Sequence, residues 1–130
     1  ERVAFERAIA KFQVIQHNLA LMAGELSAAL AATNAAEGAV FRDSNLGDEV
    51  FINVASAKIR VGEAAIETSA IAHQLHGAIG FTKEHILHRF THRLWSWRDE
   101  YGSEAKWAVL LGENMANRGA DEIWPSITAA

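Results

Sequence analysis

The sequence predicts an all-α fold, an up-down four-helix-type bundle, and three observations carry that expectation. Half of the 130 residues are apolar and alanine is used heavily, with one proline and no cysteine, a composition that favours helices over a sandwich of β-branched strands. Apolar residues recur at helical spacing through most of the chain. Short polar segments bearing glycine separate the periodic stretches.

Residues 1 to 12 carry Val3, Phe5, Ile9 and Phe12 and read as a short helical end leading into a turn. From Gln13 to about Glu37, Ile15, Leu19, Met22, Leu26 and Leu30 make the stripe of a helix with one buried face, and Gly38 is its expected end. The polar stretch from Phe41 to Gly47 links it to the next helix. Asp48 and Glu49 supply the negative charge that a helix N-terminus favours, with Asn45 or Asp48 as cap, and this second helix runs to about Leu75. Ile52, Ala55, Ile59 and Ile66 mark one apolar side, while Val54, Val61, Ala65, Ala72 and Leu75 mark another. Two buried sides place that helix inside a bundle. Glu84 to about Arg93 makes a short third helix, Arg98 to Ser103 a charged turn, and Ser103 to about Asn117 a last helix with Trp107, Leu110, Leu111 and Asn114 on one face. After Gly119 the pattern stops, so the expected organisation is a bundle over residues 1–118 and an extended or docked tail over 119–130.

Charge and composition narrow the function classes. A net charge of -4 and a pI near 5.8 leave no basic face for nucleic acid or anionic lipid. No apolar run approaches the roughly 20 residues that span a bilayer, and no signal-peptide pattern opens the chain. The missing cysteines exclude a disulfide framework or thiolate metal site and suit a reducing, cytoplasmic setting. The chain begins in what reads as mid-helix, as a piece of something longer would. Five of its six histidines fall between His73 and His92, and His85, His88 and His92 share one helical face. Such spacing could hold zinc, but no H-E-x-x-H pattern accompanies it, so the reading is a polar face and no metal is expected. Trp95, Trp97, Trp107 and Trp124 read as core or subunit-interface residues rather than a stacking platform.

The stretch from His73 to Thr82 closes the alanine-rich second helix with Gly77 and Gly80. Taken alone it is a helix C-terminus with a turn, or a loop that lets a ligand press on bare backbone. Its sequence Gln74-Leu-His-Gly-Ala-Ile-Gly-Phe-Thr82, with Arg89-Phe90 downstream, resembles the Q-x-x-G-G-x-G-[YF] … R-[FL] segment of the acyl-CoA dehydrogenases. The run from Arg2 through Phe5, Ile9, Phe12 and Gln13 to Gln16 is similar to that family's R-x-x-F-G-x-x-I-x-x-F-Q-x-x-Q.

This resemblance implies the C-terminal helical domain of an FAD-dependent enzyme. Such an enzyme oxidises an acyl-CoA thioester to its α,β-enoyl form and passes electrons to an acceptor. It implies that Arg2, Phe5, Gln13, Gln74, the backbone near Gly77 and Ala78, and Ser103 contact the FAD of a neighbouring subunit in a homo- or hetero-oligomer. Two positions depart from the pattern: Glu6 and Ala78 stand where the family has glycine. The catalytic base, often the glutamate of an E-G-T-[SA]-[EQ]-I turn, corresponds to Tyr101 if no gap is allowed and to Glu100 if one residue is deleted upstream. Tyrosine, with an ordinary pKa of about 10, is no base near neutral pH; Glu100 is the candidate, and the competing reading is that it is a surface carboxylate paired with Arg98 or Lys106. The alternative is a non-catalytic assembly module that supports a catalytic dehydrogenase partner.

Overall fold

The computed structural model describes residues 3–4, 6–43 and 45–128. The fold is all-α: α1 spans Gln13–Arg42, α2 Asp48–His76, α3 Leu87–Asp99, α4 Glu104–Arg118 and α5 Ala120–Thr128. A small antiparallel hairpin, β1 (Val3–Ala4) with β2 (Arg7–Ala8), and a 3₁₀ turn over Ile9–Lys11 precede α1. A second 3₁₀ turn, Gly77–Phe81, follows α2.

The α2 helix is the hub. Its antiparallel neighbour α1 lies along one side, α4 packs on another, and α3 packs against it together with the second 3₁₀ turn. Small residues make this possible: Ala29, Ala36 and Ala39 of α1 and Ala55, Ala57, Gly62, Ala64, Ala65 and Ser69 of α2 are buried, so the helix backbones approach closely. Arg60 of α2 pairs with Glu25 of α1 and, at 2.6 Å, with Glu63. On the α4 side the Phe51 and Trp107 rings lie 6.2 Å apart.

Four expectations are corrected. The stripe on α1 does not face the core, because Leu19, Leu26 and Leu30 are exposed and the alanines take the contact with α2. Gly38 lies inside α1, which continues to Arg42 and stops where the Asp43 carboxylate accepts the backbone N–H groups of Asn45 and Gly47. The first residues form a hairpin rather than a helical end. The tail is helical: α5 forms despite Pro125 and is tied to α4 through the contact from Arg118 to Ser126. By length and composition, α1 is the one described helix able to cross a bilayer, a property hidden in the sequence because its apolar character is spread over alanines instead of one unbroken run.

The hairpin accounts for one departure from the family pattern. Glu6 sits at φ 63°, a left-handed conformation that a Cβ disfavours by about 1–2 kcal/mol while glycine takes it freely. Part of that gain is offset by glycine's greater freedom in the unfolded chain. Glu6→Gly is therefore expected to stabilise the fold by about 0.5–1 kcal/mol, read as a higher denaturant midpoint. An unchanged or lower midpoint would contradict the hairpin.

Candidate functional site

Because α1 and α2 run antiparallel, the start of α1 and the end of α2 share one end of the fold. Gln13 is the first residue of α1 and Gln74 lies in the last turn of α2, and both are exposed. At this end opens a cavity of about 740 Å³, lined from the α1 side by Ile9, Ala10, Ile15 and Leu19 and from the α2 side by Leu75, His76, Ala78, Ile79 and His85; Gln13 and Gln74 are not among its walls. Gln16 ties the first 3₁₀ turn to α1 by donating to the Ala10 carbonyl at 3.2 Å.

Gly77 ends α2 at φ 65°, ψ -152°. That region is essentially restricted to glycine, so the turn there depends on this residue. Gly80 has a different role. A Cβ on it would come within 3.0 Å of the His76 Cβ, 3.2 Å of Leu87 and 3.4 Å of His73 Nδ1, so its bareness lets the turn seat against α2 and α3. Ala78 is exposed and borders the cavity.

Behind this turn lies a residue that the sequence did not single out. His73 is only 5% exposed; its Nε2 is 2.9 Å from the Thr91 hydroxyl, and its ring stacks on Phe81 with centroids 4.2 Å apart. Thr91 donates its own hydrogen to the carbonyls of Leu87 and His88. His73 must then be the donor, leaving Nδ1 buried without a partner. Burial first, and then the imidazoles of His76, His92 and His88, hold the His73 ring below the usual histidine range. The readable signal was position: His73 lies one turn before Gly77 and one turn after the buried Ser69. Among the described residues no three of His, Asp and Glu converge as metal ligands.

Glu100 and Ser103 belong to a second place, the corner between α3 and α4. Lys58 of α2 caps the end of α3 by donating to the carbonyls of Arg98 and Glu100 at 2.9 and 2.8 Å. Lys58 and Gln74 are sixteen residues apart on one helix, roughly 24 Å along its axis. The corner is therefore remote from the cavity. The Glu100 side chain is exposed. Ser103 caps α4, its hydroxyl accepting the Lys106 N–H at 3.4 Å, and is not brought to Gln13, Gln74, Gly77 and Ala78. Arg2 and Phe5 lie outside the described residues.

The corner is locked by a pair absent from the sequence reading. Arg98 holds Glu104 through Nε to Oε2 and Nη2 to Oε1, each at 2.7 Å. That hydrogen bond keeps the Glu104 carboxyl below the usual carboxylate range, against the opposing effect of burial. A Cβ on Gly62 would meet Glu104 at 2.9–3.0 Å, so Glu104 rests on bare α2 backbone. Tyr101 is 91% exposed at φ 60°, and its carbonyl accepts the Trp107 indole N–H at 3.1 Å.

Residues 1–99 match the family described as "Acyl-CoA dehydrogenase, C-terminal domain". The chain is 37% identical over 90 residues to a 3-(aryl)acrylate reductase of Clostridium sporogenes, covering 68% of this chain and 22% of that protein. It is 39% identical over 90 residues to a 3-sulfinopropanoyl-CoA desulfinase of Paraburkholderia xenovorans, covering 68% of this chain and 21% of that protein. The chain thus spans about a fifth of the length of these relatives. No solved structure matches it.

Proposed function

Since the chain belongs to the acyl-CoA dehydrogenase family through its C-terminal domain, we propose that it forms the helical domain of an FAD-dependent enzyme that oxidises an acyl-CoA thioester to its enoyl form. In this reading residues 1–118 are the domain and 119–130 an appended tail, working in a cytoplasmic setting. The observation that supports it best is the shared end of the fold, where Ala78 and the turn after α2 border a cavity and Gln13 and Gln74 are exposed on the two helix ends nearby. These residues fit a dinucleotide: two exposed amides offer hydrogen bonds, a glycine turn exposes backbone N–H groups, and the cavity has room for an aromatic ring. Arg2 would supply a guanidinium for the pyrophosphate. When bound, the flavin would accept the hydride from the β carbon.

The cavity end holds the tail of a neighbouring subunit's cofactor, and the corner carries the base. Glu100 is the proposed base and Ser103 a cofactor contact on that side, roughly 24 Å along α2 from Gln74; one copy of the domain therefore serves the two tasks at separate places. Oligomerisation has physical support in exposed apolar side chains: Leu21, Leu26 and Phe41 on α1, Trp97 on α3 and Trp124 on α5. Burying such side chains against a neighbouring protomer would remove apolar area from water. In this reading α1 is buried by assembly rather than by a membrane. An acyl-CoA substrate and an electron acceptor complete the set of partners. The full polypeptide carrying this sequence should purify as a yellow oligomer; a folded, colourless oligomer would count against the proposal.

A second reading, a subunit that assembles with a catalytic dehydrogenase but has no base, is favoured by the exposure of Glu100 and by Tyr101 at the gapless position. Activity from the homomer would remove it.

A further inference from the structure

The corner between α3 and α4 is held more firmly than an exposed turn requires. Lys58, half-buried on α2, donates from Nζ to two main-chain carbonyls, Arg98 at 2.9 Å and Glu100 at 2.8 Å. The last carbonyls of a helix lack partners within it, and the negative pole of α3 favours a cation there. The Glu100 N–H donates to the Trp97 carbonyl at 3.2 Å, so the peptide groups on both sides of its Cα are fixed. The next residue is strained: Tyr101 stands at φ 60° with its side chain out in solvent, a conformation that a Cβ disfavours and that no burial of the ring offsets. It persists because its neighbours are pinned. The Tyr101 carbonyl accepts the Trp107 indole N–H at 3.1 Å, and the Gly102 N–H donates to the Asp99 carbonyl at 3.2 Å. Strain held in place by surrounding contacts collects where a side chain has to be aimed, and the carboxylate at this place is Glu100.

We propose that Lys58 is a positioning residue: by holding the Arg98 and Glu100 carbonyls it fixes the direction of the Glu100 Cα–Cβ bond, so that the carboxylate meets the α hydrogen of a bound acyl-CoA. This rests on the reading of Glu100 as the base. In that reaction the α carbon gives its proton to the Glu100 carboxylate, the electron pair of the broken C–H bond becomes the new Cα=Cβ bond, and the hydride leaving the β carbon reduces the flavin. Lys58 touches no reacting atom. It acts on distance and angle, to which the transfer is sensitive: a misplacement of about 1 Å costs on the order of a hundredfold. The Arg98–Glu104 pair braces the same corner through side chains, whereas Lys58 grips the backbone of the base itself.

The test uses the full polypeptide loaded with FAD and assayed with butyryl-CoA, palmitoyl-CoA and phenylpropanoyl-CoA, each with and without deuterium at the α carbon. Lys58→Met keeps an unbranched stem and removes the donor, Lys58→Arg restores N–H groups, and Lys58→Gln serves if the Met variant fails to fold. Per folded, flavin-bearing enzyme, the Met variant is expected to lower kcat about ten- to a hundredfold with KM within about twofold of the wild type. Its deuterium isotope effect on kcat should reach full size, because proton abstraction becomes the slow step. The Arg variant should recover most of the turnover. A wild-type kcat per folded enzyme in the Met variant, alongside lost turnover in Glu100→Gln, makes Lys58 a structural brace only; it overturns the proposal and leaves Glu100 as the base. A fall in kcat with a suppressed isotope effect places the fault outside proton abstraction and overturns it as well. Full turnover in Glu100→Gln, or a wild type that turns over none of the three thioesters, defeats the reading of Glu100 as the base and the role of Lys58 with it.

Discussion

Glu100→Gln is expected to lower acyl-CoA dehydrogenation by about two to four orders of magnitude while leaving the fold as stable as the wild type. An amide cannot take the α proton, so a general base is lost without a change of shape. The stability expectation follows from the corner: Lys58 holds the Glu100 carbonyl, which the substitution keeps, and the side chain is exposed. Glu104→Ala should behave in the opposite way. It removes both hydrogen bonds to Arg98, strands a half-buried guanidinium and opens space over Gly62, so the thermal midpoint should fall by several degrees. Glu104 is a poor candidate for the base because its carboxylate is already engaged by Arg98. Near-normal turnover in Glu100→Gln would exclude Glu100 as the base and favour the assembly reading.

Acidification from pH 7.5 to 5.5 is expected to loosen the Gly77–Phe81 turn through His73. The neutral ring donates to Thr91 and keeps Nδ1 bare; protonation would place an N–H on that buried nitrogen, beside Gly80, with no acceptor. The folded pKa is lowered, so the unfolded chain takes up the proton first. Stability is then complete above the ordinary histidine pKa, about 6.5, and declines as pH falls below it, by at most about 1.4 kcal/mol per pH unit for one proton. The groups acting on His73 are His76 from α2 and His88 and His92 from α3. The 3₁₀ turn contributes no titratable side chain, and His17 of α1, on the same end of the fold, is exposed. His73→Gln keeps a donor for Thr91 and does not titrate. Unfolding curves at the two pH values should show a smaller acid loss in this variant than in the wild type; an identical loss would remove His73 from the explanation.

Local chemistry made parts of this fold readable in the sequence. Asp48 and Glu49 fall in the first turn of α2 as helix-end electrostatics requires, although its cap is Gly47 and neither Asn45 nor Asp48, and Gly77 ends that helix in a conformation other residues avoid. Gly38 misled because a single glycine inside an alanine-rich helix is a modest penalty that packing offsets. The large residues of α1 misled for a related reason: the stripe with the greatest apolar bulk is exposed, and the alanines lie against α2. The tail was unreadable because Pro125 normally argues against a helix interior. At the candidate site, Gln13 and Gln74 were legible only through family resemblance. The Lys58, Arg98 and Glu104 corner joins residues about forty apart in the chain, a separation that no local pattern reveals. His73 was legible as a histidine near the glycines, but its burial depends on Thr91 and Phe81 arriving from further along the chain.

The central claim is that one end of this fold clasps a flavin dinucleotide, and flavin content tests it most directly. The full polypeptide should bind FAD stoichiometrically, and a Gln13→Ala, Gln74→Ala double variant should assemble and melt like the wild type yet lose most of its flavin on gel filtration. Full retention of flavin by that variant would contradict the account.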